Sequence, residues 1–273
     1  MPIPSSRTPG SRQFALGAFT LIELLTVIAI IGILAAIVIP TVGSVREKAQ
    51  RAVDGNNLRE VLKAAQIYAG DNQDRLPDPQ QINNAVLTSP QLAWKWPGIL
   101  AKNNILTDAS FYFAKNDAAF NGTYPTFIIL PSAARNSLHT SFTNGRSPSW
   151  EFVGGIKMSD NPMTPVVYTR GLQGNGTWSA TSGVYKDAGG YIAFLGGNVG
   201  FYSSTNPANT PPGVFVSNNP VSTSQTRPTD PRQAIPFNTS NANASGRIYG
   251  VPPPSGAGGM IGSANGTLAT RGP

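Results

Sequence analysis

One carboxylate stands alone in an apolar run. From Phe19 to Ile39 there are 21 residues, and Glu23 is their single charge. A carboxylate at the centre of a membrane-spanning helix costs about 2.5–3.5 kcal/mol, and less near the end of the span. Glu23 therefore needs an interface to snorkel to or a cation to meet. No Lys or Arg lies within a helical turn of it. The nearest cation available would be a new α-amino group, formed if the chain were cut just before Phe19. The positive end of the helix dipole would favour the anion at that place too. The chemistry offered is charge pairing rather than catalysis.

The other reactive side chains form no familiar constellation. His139 is the only histidine, in the polar stretch RNSLHTSF, and there is no cysteine. Disulfides, thiolate metal sites and cysteine nucleophiles are excluded, and no zinc site of the usual ligand types can be drawn. No G-x-S-x-G, P-loop or H-E-x-x-H motif is present. Asp71, Asp74 and Asp78 cluster in YAGDNQDRLPDPQ. They are weak calcium candidates, because their spacing lacks the alternate ligands and distal Glu of an EF-hand loop. A solvated junction between helix and loop is the plainer reading. Glu151 and Asp160 are read as ordinary surface acids rather than a catalytic pair. The glycines of GLQGNG lack a strand-then-helix context, so phosphate binding is a weak reading. No catalytic residue, resident metal or cofactor is expected.

These residues need elements to place them. The run Phe19–Ile39 spans about 31 Å as a helix, close to the hydrocarbon thickness of about 30 Å. It is longer than the apolar core of a secretory signal, which makes a cut after Ala36 the poorer alternative. Beyond Pro40, apolar residues recur at three- and four-residue spacing: Val42, Val45, Ala49, Ala52, Val53, Leu58, Val61, Leu62, Ala65, Tyr68 and Ala69. Charges, Asp54 among them, fill the gaps. That is an amphipathic helix with one packed face. The two halves make one helix near 75 Å long at about 1.5 Å per residue. Pro40 and Gly43 should bend or locally unwind it, and Gly55-Asn56-Asn57 is a second weak point. Gly70 suits a C-cap, and Pro77 and Pro79 prevent continuation.

The rest of the chain reads as short strands and loops. Gly and Pro number 29 and 24 among 273 residues, and only 12% of residues are charged. A short helix anchored by Trp94 and Trp96 fits residues 90–106. Strands are predicted at 124–130, 149–157 and 164–170, with turns and one or two short strands in 171–186. GGYIAFLGGNVGFYSS at 189–204 predicts a hairpin, with strands at about 190–195 and 198–203 turning at Gly196-Gly197. From 204 onward Ser, Thr, Asn, Pro, Gly and Ala dominate. Most of this tail is expected to be poorly ordered, with Val214, Phe215, Val216, Ile235, Phe237, Ile248 and Tyr249 as local docking residues. The net charge of +7 is scattered rather than clustered, which is weak support for an anionic partner.

Residues 17–25, Gly17-Ala18-Phe19-Thr20-Leu21-Ile22-Glu23-Leu24-Leu25, resemble the cleavage and methylation motif of the type IV pilins and type II secretion pseudopilins. The likeness covers residues 17–69. In that family a membrane aspartyl peptidase removes a short basic leader and N-methylates the new first residue, usually Phe, and the fifth mature residue is Glu. The resemblance makes Gly17, Ala18 and Phe19 the cleavage and methylation residues. It makes Glu23, Gly32 and Pro40 assembly residues. The family usually has Gly immediately before the cut; here Ala18 holds that place. The 189–204 hairpin also resembles, less specifically, the sheet-closing hairpin of some pseudopilin-like proteins.

The resemblance implies an α+β fold. A long N-terminal helix, half membrane-spanning and half amphipathic, packs on a small antiparallel β-sheet head. The expected divisions are a leader at 1–18, an apolar assembly helix at 19–40, an amphipathic helix at 41–70, a head at 71–203 and a low-complexity tail at 204–273. The implied function is a structural subunit and not an enzyme: a single-pass inner-membrane protein with a periplasmic head, later assembled into a pseudopilus or pilus. The implied partners are other pilin-like subunits, the prepilin peptidase and the secretion or pilus machinery. Two alternatives stay open. One is a minor subunit whose basic head binds an anionic polymer such as DNA; loss of Arg7 and Arg12 with the leader would leave 18 basic and 13 acidic side chains, a net of +5. The other is a membrane-anchored exported protein that does not assemble.

Overall fold

The computed structural model describes residues 20–82, 86–210, 213–219, 227–240, 245–253 and 260–271. The expected leader and the cut at Gly17, Ala18 and Phe19 lie outside the described residues. The chain divides into two compact units, Met1–Lys48 and Ala49–Pro273.

Helix α1 (Leu21–Asp71) crosses that division without a break in its helical assignment. The local unwinding expected at Pro40 and Gly43 is not seen. Pro40 has no N–H to give to the preceding turn. Beside it, Thr41 Oγ1 donates to the Val38 carbonyl at 2.8 Å, and Ser44 Oγ donates to the Thr41 carbonyl at 3.0 Å. These are side-chain bonds back to helix carbonyls; they do not replace the bond that Pro40 cannot give to the Ala36 carbonyl. Gly55-Asn56-Asn57 is helical as well.

In the first unit α1 is exposed all round. Leu21, Ile22, Leu25, Ile28, Ile31, Leu34, Ile37 and Ile39 are each more than half exposed. In the second unit α1 has one buried face: Asp54, Gly55, Leu58, Val61, Leu62, Ala65, Tyr68 and Ala69. Of the expected packed face, Val42, Val45, Ala49, Ala52 and Val53 are exposed, so the buried face begins only at Asp54. Val53 is half exposed and Asp54 is fully buried. Asp54 lies four residues before Leu58 and so shares its face, whereas Val53 turns away. The helix closes one residue beyond Gly70. Gln73 and Asp74 take the positive φ values, 57° and 60°. Asp74 N donates to the Ala69 carbonyl, and Asn72 Nδ2 donates to the Tyr68 carbonyl. The Asp74 backbone N–H and the Asn72 side chain thus do the capping that Gly70 was expected to do.

Six antiparallel strands form one sheet: β1 (Trp150–Gly154), β2 (Pro165–Thr169), β3 (Gly190–Phe194), β4 (Val199–Tyr202), β5 (Arg247–Tyr249) and β6 (Thr267–Leu268). Their spatial order is β4-β3-β2-β1-β5-β6. Every residue of β1 and β2 is buried, so the sheet centre is covered on both faces. One face carries Phe152 and Tyr191. Phe152 stacks on Trp96 of helix α2 (Leu92–Lys102) at 4.7 Å, and the Tyr191 ring packs over Gly55 of α1. The opposite face carries Glu151, Tyr168 and Phe194, as the alternation of side chains along paired strands requires. There Phe215 of the tail lies against Phe194, and Gly262 of the tail lies on Glu151.

The β3–β4 hairpin matches the reading from sequence, but its turn is longer. Phe194 N donates to the Asn198 carbonyl, closing a loop of Leu195, Gly196 and Gly197. Only Gly197 has positive φ, 93°. This fits a three-residue loop with glycine in the left-handed position, and it lets Leu195 bury its side chain. Residues 124–130 form no strand, only a single bridge between Ile129 and Leu138, and 171–186 holds one bridge, Leu172 with Trp178. Both stretches are interrupted by Pro or Gly. In the tail, the docking residues Val214, Phe215, Ile235, Ile248 and Tyr249 are buried. The expected poor order falls in part on 211–212, 220–226, 241–244, 254–259 and 272–273, which lie outside the described residues.

Candidate functional site

The acid that opened the question sits in the first turn of α1. Thr20 is the residue before the helix, and Glu23 is its third residue. Thr20 N and Thr20 Oγ1 each donate to Glu23 Oε2 at 2.8 Å, while Glu23 N donates to Thr20 Oγ1 at 3.3 Å. This is a capping box, in which two side chains satisfy each other's backbone donors at a helix start. The motif Thr-x-x-Glu was present in the sequence at 20–23 and went unread there. It gives Glu23 a local role beside any intermolecular one, and it leaves Glu23 Oε1 without a partner from Thr20. Glu23 is exposed, so its carboxylate can be approached from outside the chain.

The other expected assembly residues lie further along the same helix. Gly32 has no atom within 4 Å of where a Cβ would stand. Nothing among the described residues requires glycine there. Pro40 lies inside the helix. Among the described residues α1 is the one helix long and apolar enough to cross a membrane, by length and composition.

The acidic cluster after α1 does not gather into a ligand set. Asp71 and Asp78 line one cleft of about 330 Å³ together with Arg75, Tyr68, Asn72 and Gln81. Asp74 is exposed and does not line it. Asp78 accepts from Gln80 N at 3.1 Å, and burial raises its pKa. No group of three or more His, Asp or Glu side chains arranged to hold a metal occurs among the described residues. His139 caps the short helix α3 (Thr140–Thr143), with its Nδ1 accepting from Ser141 N at 3.1 Å.

Among the described residues Asp54, Asp117 and Glu151 are acids that the sequence did not mark as buried. Asp54 accepts from Tyr185 Oη at 2.7 Å and from Gln50 Nε2 at 3.3 Å; burial raises its pKa against those bonds. Arg51 lies over the Tyr185 and Phe201 rings at 5.3 and 5.5 Å. Asp117 pairs with Arg170 at 2.7 Å, and both are buried. Arg170 also donates to the carbonyls of Pro148 and Ser182. Glu151 is fully buried rather than on the surface, and burial pushes its pKa up to about 7. Asp160 is apart in role: it accepts from Lys157 N at 2.7 Å and caps a turn. The signal for Glu151 was its place inside SWEFVGG, where both flanking residues are large aromatics. The signal for Asp54 was its four-residue spacing to Leu58. These acids tie elements together.

Comparison with known proteins finds similarity over part of the chain. Type II secretion system core protein G of Pectobacterium carotovorum is 33% identical over 81 residues, 30% of this chain and 51% of that protein. Core protein G of Pseudomonas aeruginosa is 38% identical over 72 residues, 26% of this chain and 50% of that protein. The type IV wide pilus major component PilA4 of Thermus thermophilus is 48% identical over 54 residues, 20% of this chain and 41% of that protein. The chain spans about half the length of the curated relatives it matches. No family model matches the chain, and no solved structure matches it. Over those stretches the chain is similar to core protein G of type II secretion systems and to a type IV pilus major component.

Proposed function

We propose that this chain is a pilin-like structural subunit, cut before Phe19, N-methylated on Phe19, and assembled through α1 into a secretion pseudopilus or a pilus. The observation that carries the reading is the first unit of α1, an apolar helix with its side chains exposed all round and one carboxylate at its start. Such a surface is stable in a bilayer or against copies of itself, and not in water. In the membrane it anchors the subunit, with the head on the periplasmic side. In the filament the same helices pack side by side.

Glu23 has two tasks in this reading. Its Oε2 caps α1 through Thr20, and its charge meets the α-amino group of Phe19 on a neighbouring subunit. In a low-dielectric helical core each of these charges is costly alone, and pairing them offsets the cost and sets the axial step. Removal of either partner leaves a buried charge. The two tasks separate by mutation. Glu23→Gln keeps an acceptor for Thr20 and removes the charge; Thr20→Ala removes the cap and keeps the charge. Filament yield measured in cells should collapse in the first and fall only modestly in the second. Normal filaments from Glu23→Gln would refute the pairing. The peptidase, the membrane and the assembly machinery are the partners this function requires.

A further inference from the structure

Residues 128–130 and 137–139 run antiparallel around the bridge between Ile129 and Leu138. Leu130 N donates to the Ser137 carbonyl at 2.8 Å, and His139 N donates to the Ile128 carbonyl at 2.9 Å. On its other side the second stretch meets Thr88: Leu138 N donates to the Thr88 carbonyl, and Thr88 N donates to the Asn136 carbonyl. These pairings make a small layer apart from the six-stranded sheet, with 128–130 as its outer member. Along an extended chain the backbone groups of successive residues point to opposite sides. Ile128 and Leu130 bond inward, so Ile129 turns its N–H and carbonyl outward. Neither group has a partner among the described residues, although Ile129 is only 8% exposed.

That edge borders a cleft of about 540 Å³. Seven consecutive residues, 127–133, line it, together with Ala101, Thr107 and Arg135. Side chains alternate along an extended chain, so neighbours in sequence share one wall only through their backbone edge. Phe127 and Leu130 are exposed there. Arg135 is the only charged residue of the lining. Its guanidinium donates to the Ala101 carbonyl at 2.7 Å and to Asn104 Oδ1, and its Nε has no partner. It makes no ion pair among the described residues. The cleft thus combines an open backbone edge, apolar walls and one positive charge without a counter-charge.

We propose that this cleft binds an extended peptide segment of a partner protein, added as a further strand along 128–130, with an apolar side chain in the cleft and a carboxylate on Arg135. Each feature selects part of that ligand. The N–H and carbonyl of Ile129 fit a peptide backbone, which brings one acceptor and one donor to an open strand edge. The apolar walls fit a side chain of like character. The guanidinium fits a carboxylate, because charge-assisted hydrogen bonds are stronger than those it makes to neutral oxygens. At about 3.3 Å per residue the run 127–130 takes up about three or four residues of added strand. The chain carries 20 Lys and Arg against 13 Asp and Glu, so an acidic foreign segment complements it better than a second copy does. The site lies in the second unit and does not depend on how α1 is used.

The test uses the full chain in lipid nanodiscs and a synthetic library of random pentapeptides, acetylated and amidated at their ends. Selected peptides should carry Asp or Glu within two positions of an apolar residue. The tightest of them, labelled with fluorescein, serves as the probe for anisotropy titrations. Its affinity should fall about tenfold when its acid is changed to the amide, and by a similar factor with Arg135→Gln protein. Leu130→Glu leaves the bonds of Arg135 in place and sets a like charge beside the ligand; it should weaken binding to the same degree. N-methylation scanned along the probe should weaken binding at alternate amides only, the mark of strand pairing. Bound probe should slow exchange of the Ile129 amide on the order of tenfold and leave the edge strand β4 unchanged. No acid among the selected peptides, binding indifferent to both protein variants, or protection at β4 in place of Ile129 would overturn the proposal. Protection of Ile129 that grows with protein concentration in the absence of peptide would assign the edge to a second copy and overturn it as well.

Discussion

Tyr185 Oη donates to Asp54 Oδ2 at 2.7 Å across 131 residues of sequence, and in doing so ties α1 to the segment that leads into β3. The acid lies on the packed face of the helix, against the sheet face that carries Tyr191. Asp54→Ala should destabilise the head by about 1–3 kcal/mol, the cost of leaving a buried hydroxyl unpaired. Asp54→Asn keeps an acceptor for Tyr185 and should cost less. Chemical denaturation of the detergent-solubilised chain followed by Trp fluorescence measures both. Equal losses in the two variants would show that the hydrogen bond is not what matters. The raised pKa of Asp54 adds a sign: its contribution is present at low pH and is lost as pH rises through its folded value. Asp54→Asn should flatten that part of the pH profile.

The glycines of α1 divide by what surrounds them. A Cβ on Gly55 would stand 2.9 Å from Tyr191 Cε1 and must displace the ring. Gly70 is exposed, has no positive φ and has nothing within 4 Å. Gly70→Ala should therefore stabilise by about 0.5–1 kcal/mol through helix propensity. Gly55→Ala should lose that gain to overpacking, which costs about 1–3 kcal/mol. Thermal melts of the two variants should move in opposite directions. A rise in Gly55→Ala equal to that in Gly70→Ala would contradict the close packing of helix on sheet.

The buried pair Arg170–Asp117 joins the end of β2 to the loop before β1. Asp117→Ala strands a guanidinium that is almost fully buried and should cost about 3–5 kcal/mol. Replacement of both partners by apolar residues should cost less than Asp117→Ala alone. A double variant less stable than the single one would mean that the pair contributes more than the mutual satisfaction of its charges.

The apolar half of α1, the packed half that follows, the short Trp-anchored helix and the β3–β4 hairpin were all legible in the sequence, because each is written in local periodicity or in a turn pair. The long-range closures were not. Nothing near Arg247 or Thr267 says that these residues extend the sheet beyond β1, since a three-residue and a two-residue strand carry no periodicity. Glu151 and Asp54 were read as solvated because acids usually are, and their burial depends on Gly262 and Tyr185, far away in sequence. At the candidate site the acid itself was legible, and its reciprocal bond with Thr20 was written in the spacing Thr-x-x-Glu.

The central claim is that Phe19 becomes the first residue of an assembling subunit. The measurement that tests it most directly is the intact mass and N-terminal sequence of the protein purified from its own cells. The account predicts a chain that begins at Phe19 and carries one methyl group on its amine. A chain that still begins at Met1, or one that begins near Ile37, would contradict it.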